Sequence, residues 1–225
     1  MTFKVSPSPP SRMWRPWMAD ASPSRRAPPG GITLVRHGEP ALSRKIRLSA
    51  RDYRAWWARY EEGGLKAGQT PPPILLEAAA RADVLICSTR LRAIETAAAI
   101  TGGRACAENP LYIEAPLPPP PLPGWLRLPP RWWGVLSRFC WWLFGYADGQ
   151  ESYTQALDRA RLAARGLIAQ AERGEEILLI AHGFFNLMIG RALKAEGWRL
   201  TVNQGFRYWS ARRFEAPPAS RSSPA

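Results

Sequence analysis

Two short apolar runs each end in a histidine followed by glycine, and this pattern limits most strongly what the chain can fold into. Residues 32–36 lead into His37, and residues 176–181 lead into His182. The 225-residue sequence holds no other histidine. In an open α/β sheet, buried strands present reactive side chains at their C-terminal edge in this way. The pattern therefore predicts that both imidazoles lie in one site at the edge of a sheet.

Apolar runs alternate with segments of helical periodicity along the chain. The spacing predicts strands at 32–36, 83–87, 176–181 and 206–214, with a short strand within 104–113. It predicts helices at 50–62, 74–81, 90–101, 152–173 and 184–196, and irregular structure over the proline-rich residues 116–130. Ser88 and Thr89 offer an N-cap for the third helix, as Ser152 does for the fourth. Alternating strands and helices predict an α/β fold, a three-layer α/β/α domain with a mainly parallel sheet.

The two ends of the chain differ in composition from its middle. Residues 1–30 are rich in Pro, Ser and Arg and lack periodicity, which predicts a disordered tail, and residues 216–225 are interpreted in the same way. Met13 and Met18 lie in the first tail, which allows a later translation start. We therefore expect one domain over 31–215, with a tryptophan-rich insertion at 124–146.

The net charge of +13 is divided unevenly between the tails and the domain. Residues 1–31 carry five basic residues against one acidic, a net +4, and Arg221 adds one more. The remaining +8 is spread over 32–215 without a long basic run. Such a field suits an anionic substrate or an anionic membrane surface. Only charge favours nucleic acid, so we do not expect that partner.

Cysteine use and hydropathy indicate the compartment. Cys87, Cys106 and Cys140 are odd in number and irregularly spaced, without a CxxC pair. This predicts neither a disulfide framework nor a zinc site, and it favours a reducing compartment, with Cys87 as a small core residue. The sequence shows no secretory signal and no apolar run of transmembrane length, so we expect a cytoplasmic protein.

Charged and polar groups recur at the predicted strand ends. Arg36 and His37 end the first strand, residues 88–92 open the helix after the second, and His182 ends the later one, while Glu114 begins the proline-rich loop. In a doubly wound sheet these ends converge on one crevice. Imidazoles, guanidiniums and a helix N-terminus together suit a dianion such as a phosphate.

Five motifs lie on these elements in a fixed order. They are RHGE at 36–39, STRLRAIETA at 88–97, IE at 113–114, GQES at 149–152 and AHG at 181–183. In this order the chain resembles the histidine phosphatase superfamily, the phosphoglycerate mutase-like proteins, over residues 32–214. The resemblance implies a phosphoglycerate mutase-like fold and a phosphatase that acts on a small phosphorylated molecule and needs no metal and no cofactor.

The resemblance also implies roles for individual residues. His37 would attack phosphorus and form a phosphohistidine, and Arg36, Arg92 and His182 would bind the phosphoryl group. Glu114 would protonate the leaving alcohol and later deprotonate water.

The remaining site residues have supporting roles or are alternatives. Ser88 and Gly38 are predicted to bind substrate, Gly38 and Gly183 by allowing close backbone approach. Glu39 and Glu151 are the other candidates for the acid. Arg90, where the family usually has an apolar residue, is interpreted as a peripheral charge.

The insertion at 124–146 leaves three hypotheses open. It holds five tryptophans and three arginines, and no acidic residue occurs between Glu114 and Asp148. It can be a lid that shapes the pocket, a peripheral membrane contact, or a dimer contact. The sequence does not determine the oligomeric state.

The substrate and the reaction also leave alternatives. The apolar insertion predicts an ester with a hydrophobic or aromatic leaving group. Alternatives to the phosphatase are a phosphoglycerate mutase-type phosphotransferase and an inactive phosphoester-binding or membrane-associated scaffold.

Overall fold

The computed structural model describes residues 28–218, so the predictions for most of the two tails and for the translation start lie outside the described residues. Its strands are β1 (Ile32–Arg36), β2 (Val84–Cys87), β3 (Ala107–Glu108), β4 (Ile177–Ala181), β5 (Arg199–Asn203) and β6 (Ala211–Glu215). Its helices are α1 (Ala50–Glu62), α2 (Pro73–Arg81), α3 (Leu91–Thr101), α4 (Pro130–Leu143), α5 (Tyr153–Ala171) and α6 (Gly183–Ala195), with a 3₁₀ turn at Pro110–Tyr112.

The six strands form one sheet in the order β3-β2-β4-β1-β6-β5. The first four are mutually parallel, and β6 pairs antiparallel with both β1 and β5. The predicted α/β fold with a mainly parallel sheet is therefore confirmed. Because β1, β2 and β4 are parallel neighbours, their C-terminal ends lie at one edge of the sheet.

Apolar side chains cover the sheet on both faces, as the alternation along β4 shows. Ile177, Leu179 and Ala181 belong to the core under α5 and α6, whereas Leu178 and Ile180 pack on the other side with α2 and α3. α5 approaches closely through small residues, which are Ala156, Ala160, Ala163, Ala164 and Ala171. The three predicted layers are present, and both faces of the central strands are dry.

The antiparallel edge differs from the prediction. The strand predicted at 206–214 is confined to β6, because residues 205–209 form turns and Trp209 has a positive φ of 58°. The strand β5 was not predicted, because it lacks an apolar run and its side chains alternate between exposed and half-buried. Edge strands carry little hydrophobic signal, since one side faces water.

The structure places two further predicted features, the short strand near residue 105 and the N-cap of α3, a few residues from their predicted positions. The short strand expected near residue 105 is β3, a two-residue strand beside β2. Arg90, not Ser88 or Thr89, is the N-cap of α3, and no side chain caps that helix end. The predicted cap of α5 is present, since Ser152 and Gln155 form a reciprocal capping box.

α4 lies outside the three layers and packs on α1. Trp133 from α4 joins Tyr53, Trp56 and Tyr60 from α1 in a separate buried aromatic cluster. Trp141 enters the core beneath α5 and α6 instead. Among residues 28–218, no helix has both the length and the apolar character needed to cross a bilayer.

Candidate active site

The floor of the candidate site is the edge where β1, β2 and β4 end. Arg36 is the last residue of β1, and His37, Ser88 and His182 each follow one of the three strands directly. The two imidazole centroids are 5.1 Å apart, with the rings at 62°. The structure therefore brings together the two histidines, as the strand pattern predicts.

His37 has one ring nitrogen engaged and the other available. Its Nδ1 lies 2.7 Å from the carbonyl oxygen of Gly38, which only accepts, so we assign the proton to Nδ1 and the lone pair to Nε2. Burial lowers the pKa of His37 well below its usual value, and the charges of Arg92 and Arg36 lower it further. The ring is therefore neutral at neutral pH, the form that can act as a nucleophile.

His182 is held from both sides. Its Nδ1 lies 3.3 Å from Nη2 of Arg92, and its Nε2 lies 2.8 Å from Oγ of Ser88. Because a guanidinium only donates, Nδ1 accepts from Arg92, and Nε2–H donates to Ser88. Burial, followed by the charge of Arg92 and the neighbouring His37, lowers the pKa of His182 well below its usual value. Ser88, predicted as a substrate ligand, is fully buried here and contacts His182.

Arg92 is buried, and a carboxylate that the sequence analysis did not identify holds it in place. Its Nη2 lies 2.7 Å from Oε1 of Glu61, and Nη1 donates to the carbonyl oxygens of Tyr60 and Glu61. Arg90 pairs with the other oxygen of Glu61 at 2.9 Å. No local signal marks Glu61, which is one of two glutamates at the end of α1, 31 positions before Arg92.

Arg36 extends toward the turn between β5 and β6. Its Nη1 donates to the carbonyl oxygen of Phe206, and its guanidinium carbon lies 4.3 Å from the ring centre of Tyr208. A Cβ on Gly183 would lie 3.1 Å from Nε of Arg36. Glycine at 183 thus leaves room for the guanidinium, in addition to the predicted close approach of substrate.

A neighbouring side chain also accounts for the glycine at position 38. A Cβ on this residue would lie 2.4 Å from the indole of Trp209, whose Nε1 donates to Gln69 at 2.8 Å. The amide of Gly38 donates to Thr96 on α3 at 3.0 Å. Packing against Trp209 therefore requires a glycine here, whether or not a substrate contacts it.

Glu114 sits at the N-terminus of α6, beside the histidines. Its Oε1 accepts from the amide of Phe185 at 2.9 Å, and its Oε2 accepts from that of Phe184 at 3.2 Å. The guanidinium of Arg138 is 3.8 Å away. Glu114 lines the same cavity as His37.

The two other candidates for the acid are placed differently. Both carboxylate oxygens of Glu151 pair with Arg159 at 2.7 Å, which engages them fully. Glu39 is half-exposed, lies 3.9 Å from Lys66, and does not line the cavity of His37. Of the three predicted carboxylates, only Glu114 is brought together with the histidines.

An open cavity of about 480 Å³ lies above the floor. Its wall combines apolar and cationic side chains, among them Trp57, Leu117, Val135, Phe184 and Phe206 with Arg44, Arg131 and Arg138. Burial lowers the pKa of Arg138 to about 10, so it stays protonated at neutral pH. α4 supplies part of this wall.

Arg44 is a second residue that the sequence analysis missed. It lies in the loop before α1, and its Nη1 donates to the hydroxyl of Tyr208 at 2.9 Å. Within residues 28–218, neither Arg36 nor Arg44 has a carboxylate oxygen within 4 Å. Two guanidiniums without a counter-ion therefore lie in the cavity wall, as an anionic ligand would require.

Metal-ligating side chains do not cluster in the part of the chain that the structure describes. Between residues 28 and 218, no group of three His, Cys, Asp or Glu is arranged to hold a metal ion. Cys87 is buried in the core, as the sequence analysis expects.

Comparison with solved structures identifies the fold. A mutant phosphoserine phosphatase from Entamoeba histolytica in complex with phosphoserine is similar, with a TM-score of 0.51 at 14% identity over 82% of this chain and 89% of that one. A mycobacterial glucosyl-3-phosphoglycerate phosphatase in complex with VO3 has a TM-score of 0.51 at 16% identity, covering 82% of this chain and 90% of that one. "Mycobacterial hydrolase 2" has a TM-score of 0.54 at 19% identity, over 83% and 82% of the two chains.

The sequence comparisons add nothing to these structural ones. No protein-family model matches the chain, and no curated protein matches it in sequence. The likeness to solved structures shows the fold, which is that of phosphatases of the histidine phosphatase superfamily. The predicted phosphoglycerate mutase-like fold is therefore confirmed.

Proposed function

We propose that this protein is a phosphomonoester hydrolase that works through a phosphohistidine on His37. One observation carries the proposal: a neutral imidazole with a free Nε2 lies in a cavity beside guanidiniums that have no counter-ion. The imidazole supplies a nucleophile, and the guanidiniums bind the phosphoryl group that it attacks. Phosphate, with its several anionic oxygens, suits such a set of donors.

The first chemical step transfers the phosphoryl group to the protein. Arg36 and Arg92 bind the non-bridging oxygens, and Nε2 of His37 attacks phosphorus in line with the leaving oxygen. The P–N bond forms as the P–O bond to the alcohol breaks. Glu114, protonated at the start of this step, gives its proton to the alcohol oxygen. Its Oε2, with a single 3.2 Å hydrogen bond from Phe184, is the better placed oxygen to carry that proton.

The second step returns the protein to its starting state. Water attacks the phosphorus, the P–N bond breaks, and the electron pair returns to Nε2 of His37. Glu114, now a carboxylate, takes the proton that the water loses. Over the cycle one ester and one water become one alcohol and one phosphate, and the protein gains or loses no proton or electron, so water is the one co-reactant that the step requires.

His182 can donate a hydrogen bond to a bound phosphate only if its protonation state changes. In its present contacts it has no N–H left for a phosphate oxygen, because Nδ1 accepts from Arg92 and Nε2–H donates to Ser88. A bound phosphate dianion opposes the cationic charge that lowers the pKa of His182. We therefore infer that substrate binding protonates Nδ1, which releases Nη2 of Arg92 and adds a second donor to the phosphate.

Replacement of the nucleophile tests the proposal. The His37→Ala variant should lose turnover of p-nitrophenyl phosphate by a factor on the order of 10⁴ or more. The wild type, quenched in alkali during turnover, should carry an acid-labile phosphate that the variant lacks. Arg51→Gln, on the exposed side of α1, is the matched control and should retain activity. Hydrolysis by His37→Ala at the wild-type rate would contradict the mechanism.

A further inference from the structure

The outward side of α4 is apolar, although it faces water. Trp142, Val135, Trp132, Leu143 and Phe139 are exposed by 60%, 59%, 54%, 52% and 47%. Trp125 at 80% and Phe144 at 70% flank them. We call these seven side chains the aromatic face. Folded proteins rarely leave so many large apolar side chains on one side of a helix in water without a binding partner.

The residues at the edge of the aromatic face are basic. Arg127 and Arg131 are exposed beside it, and no acidic residue lies between positions 115 and 147. A helix with tryptophan, phenylalanine and leucine outward and arginine at its margin matches an element that lies in the headgroup region of an anionic bilayer. A second copy of this chain would bring the same segment, 115–147, which has no carboxylate to pair with these arginines, whereas an anionic bilayer supplies the opposite charge.

The aromatic face is continuous with the cavity wall. Arg131, Val135 and Arg138 follow one another along α4 at helical spacing, and all three line the cavity of His37. Val135 belongs to both surfaces. A membrane seated on the aromatic face would therefore lie at the mouth of the cavity.

We propose that the aromatic face docks on an anionic lipid bilayer and that the substrate is a phosphomonoester anchored in that bilayer. Its headgroup passes Arg131 to reach His37, while its apolar part stays in the membrane or against the apolar wall. The substrate half of this proposal rests on the proposed phosphatase function. The docking half does not.

Vesicle binding tests the docking half. The full-length protein is sedimented with vesicles of phosphatidylcholine alone and of phosphatidylcholine with phosphatidylglycerol. We expect binding to the anionic vesicles, reduced roughly tenfold or more in Phe139→Glu/Trp142→Glu. Both residues are exposed and lie outside the cavity wall, and Leu162→Glu, at an exposed leucine on α5, is the matched control.

Three results would overturn docking. The first is that the wild type fails to bind anionic vesicles, and the second is that the double variant binds as well as the wild type. The third is a wild-type dimer, seen by analytical ultracentrifugation, that the double variant dissociates without any vesicle binding. Circular dichroism and thermal unfolding establish whether the variants are folded. A loss of vesicle binding by a folded variant is then due to the change in the aromatic face.

Kinetics test the substrate half. Phosphatidate in anionic vesicles should be hydrolysed with higher kcat/KM than a short-chain, water-soluble phosphatidate, and only the vesicle rate should fall in the double variant. Turnover of p-nitrophenyl phosphate should be unchanged by that variant. If p-nitrophenyl phosphate and every phosphatidate are inert with all proteins, the proposed function fails while vesicle binding still decides docking. If the water-soluble ester is preferred and the double variant has no effect, the membrane-anchored substrate is wrong.

Discussion

The floor and the α4 wall of the cavity follow opposite rules of construction. On the floor, His37, Ser88, Arg92 and His182 are all buried polar side chains that hydrogen-bond to one another or to backbone. The α4 wall leaves large apolar side chains in water. Burial without paired polar groups is costly, and so is apolar exposure. Near the floor this cost falls on Arg36 and Arg44, whose guanidiniums have no carboxylate oxygen within 4 Å among residues 28–218. In our proposals a bound phosphate removes that cost, and a bilayer removes the cost of the exposed apolar side chains of α4.

Glu114 lies where floor and wall meet, and after the loss of His37 its loss should have the largest effect on catalysis. Glu114→Gln keeps the size of the side chain and an acceptor oxygen for one of the two amides, those of Phe184 and Phe185, but has no acidic proton to give. We expect kcat/KM for alkyl phosphates to fall by roughly 10²–10⁴, with little change in kcat/KM for p-nitrophenyl phosphate, whose leaving group needs no proton. The kcat should fall for both substrates, because hydrolysis of the phosphohistidine also uses Glu114 as the base.

The control for this prediction is Glu151, a half-buried carboxylate nearby. Glu151→Gln should affect both substrates equally, because Glu151 acts through its pair with Arg159. If Glu114→Gln hydrolysed alkyl phosphates at the wild-type rate, the proton would have to come from another group.

Adjacent tryptophans in α4 separate the inner side of that helix from the outer. Trp141 is 1% exposed and donates from Nε1 to the carbonyl oxygen of Glu151 at 2.9 Å, whereas Trp142 is 60% exposed. We expect Trp141→Ala to lower the free energy of unfolding by about 3–5 kcal/mol and Trp142→Ala by no more than about 0.5 kcal/mol. Urea denaturation measures both. Equal losses would mean that the aromatic face is covered by protein in solution.

The buried histidines make stability depend on pH. Their pKa values are lowered in the folded state, so below about pH 6.5 the unfolded chain binds protons that the folded chain does not. Stability from this source is present above pH 6.5 and falls on acidification, by up to about 1.4 kcal/mol per pH unit for each histidine.

Unfolding curves between pH 7 and pH 5 measure this slope, and the variant His182→Asn should flatten it by about half. Inorganic phosphate should oppose the acid loss, because binding raises the pKa of His182 in our proposal. A slope that is the same in wild type and variant would contradict the assignment of a neutral His182.

Arg44 should show the smallest effect, because it contacts the substrate site from the side. Arg44→Gln removes a cation without a carboxylate partner, and we expect KM to rise by roughly tenfold with kcat little changed. Arg51→Gln, exposed on α1, is the matched control for lost charge. A drop in kcat without a change in KM would instead place Arg44 on the transition state.

Local patterns in the sequence predicted the floor well. The strands β1, β2 and β4 and the helices α1, α2, α5 and α6 lie within one or two residues of their predicted bounds. The two histidines meet because parallel strands end at one edge. Each of these conclusions depends on a few neighbouring residues, whose hydrophobic periodicity and whose capping, glycine and proline residues can be seen in the sequence.

The partners of the floor residues could not be predicted in that way. Arg92 pairs with Glu61, Arg36 lies over the ring of Tyr208, and Gly38 leaves room for Trp209. These partners are far apart in the sequence, so no local pattern indicates that they are in contact. α4 poses a related problem, since large apolar side chains lie on both its buried and its exposed side, and their spacing does not say which side is inward.

The sequence by itself determined where the reactive residues lie relative to the strands and helices: a histidine after β1, an arginine at the start of α3 and a histidine after β4. Only the tertiary structure decided that Glu61 holds that arginine, that Glu114 reaches the cavity while Glu39 and Glu151 do not, and which tryptophans of α4 face water. The physical reason is that strand-end placement follows from local geometry, whereas ion pairing and burial depend on which distant elements pack together.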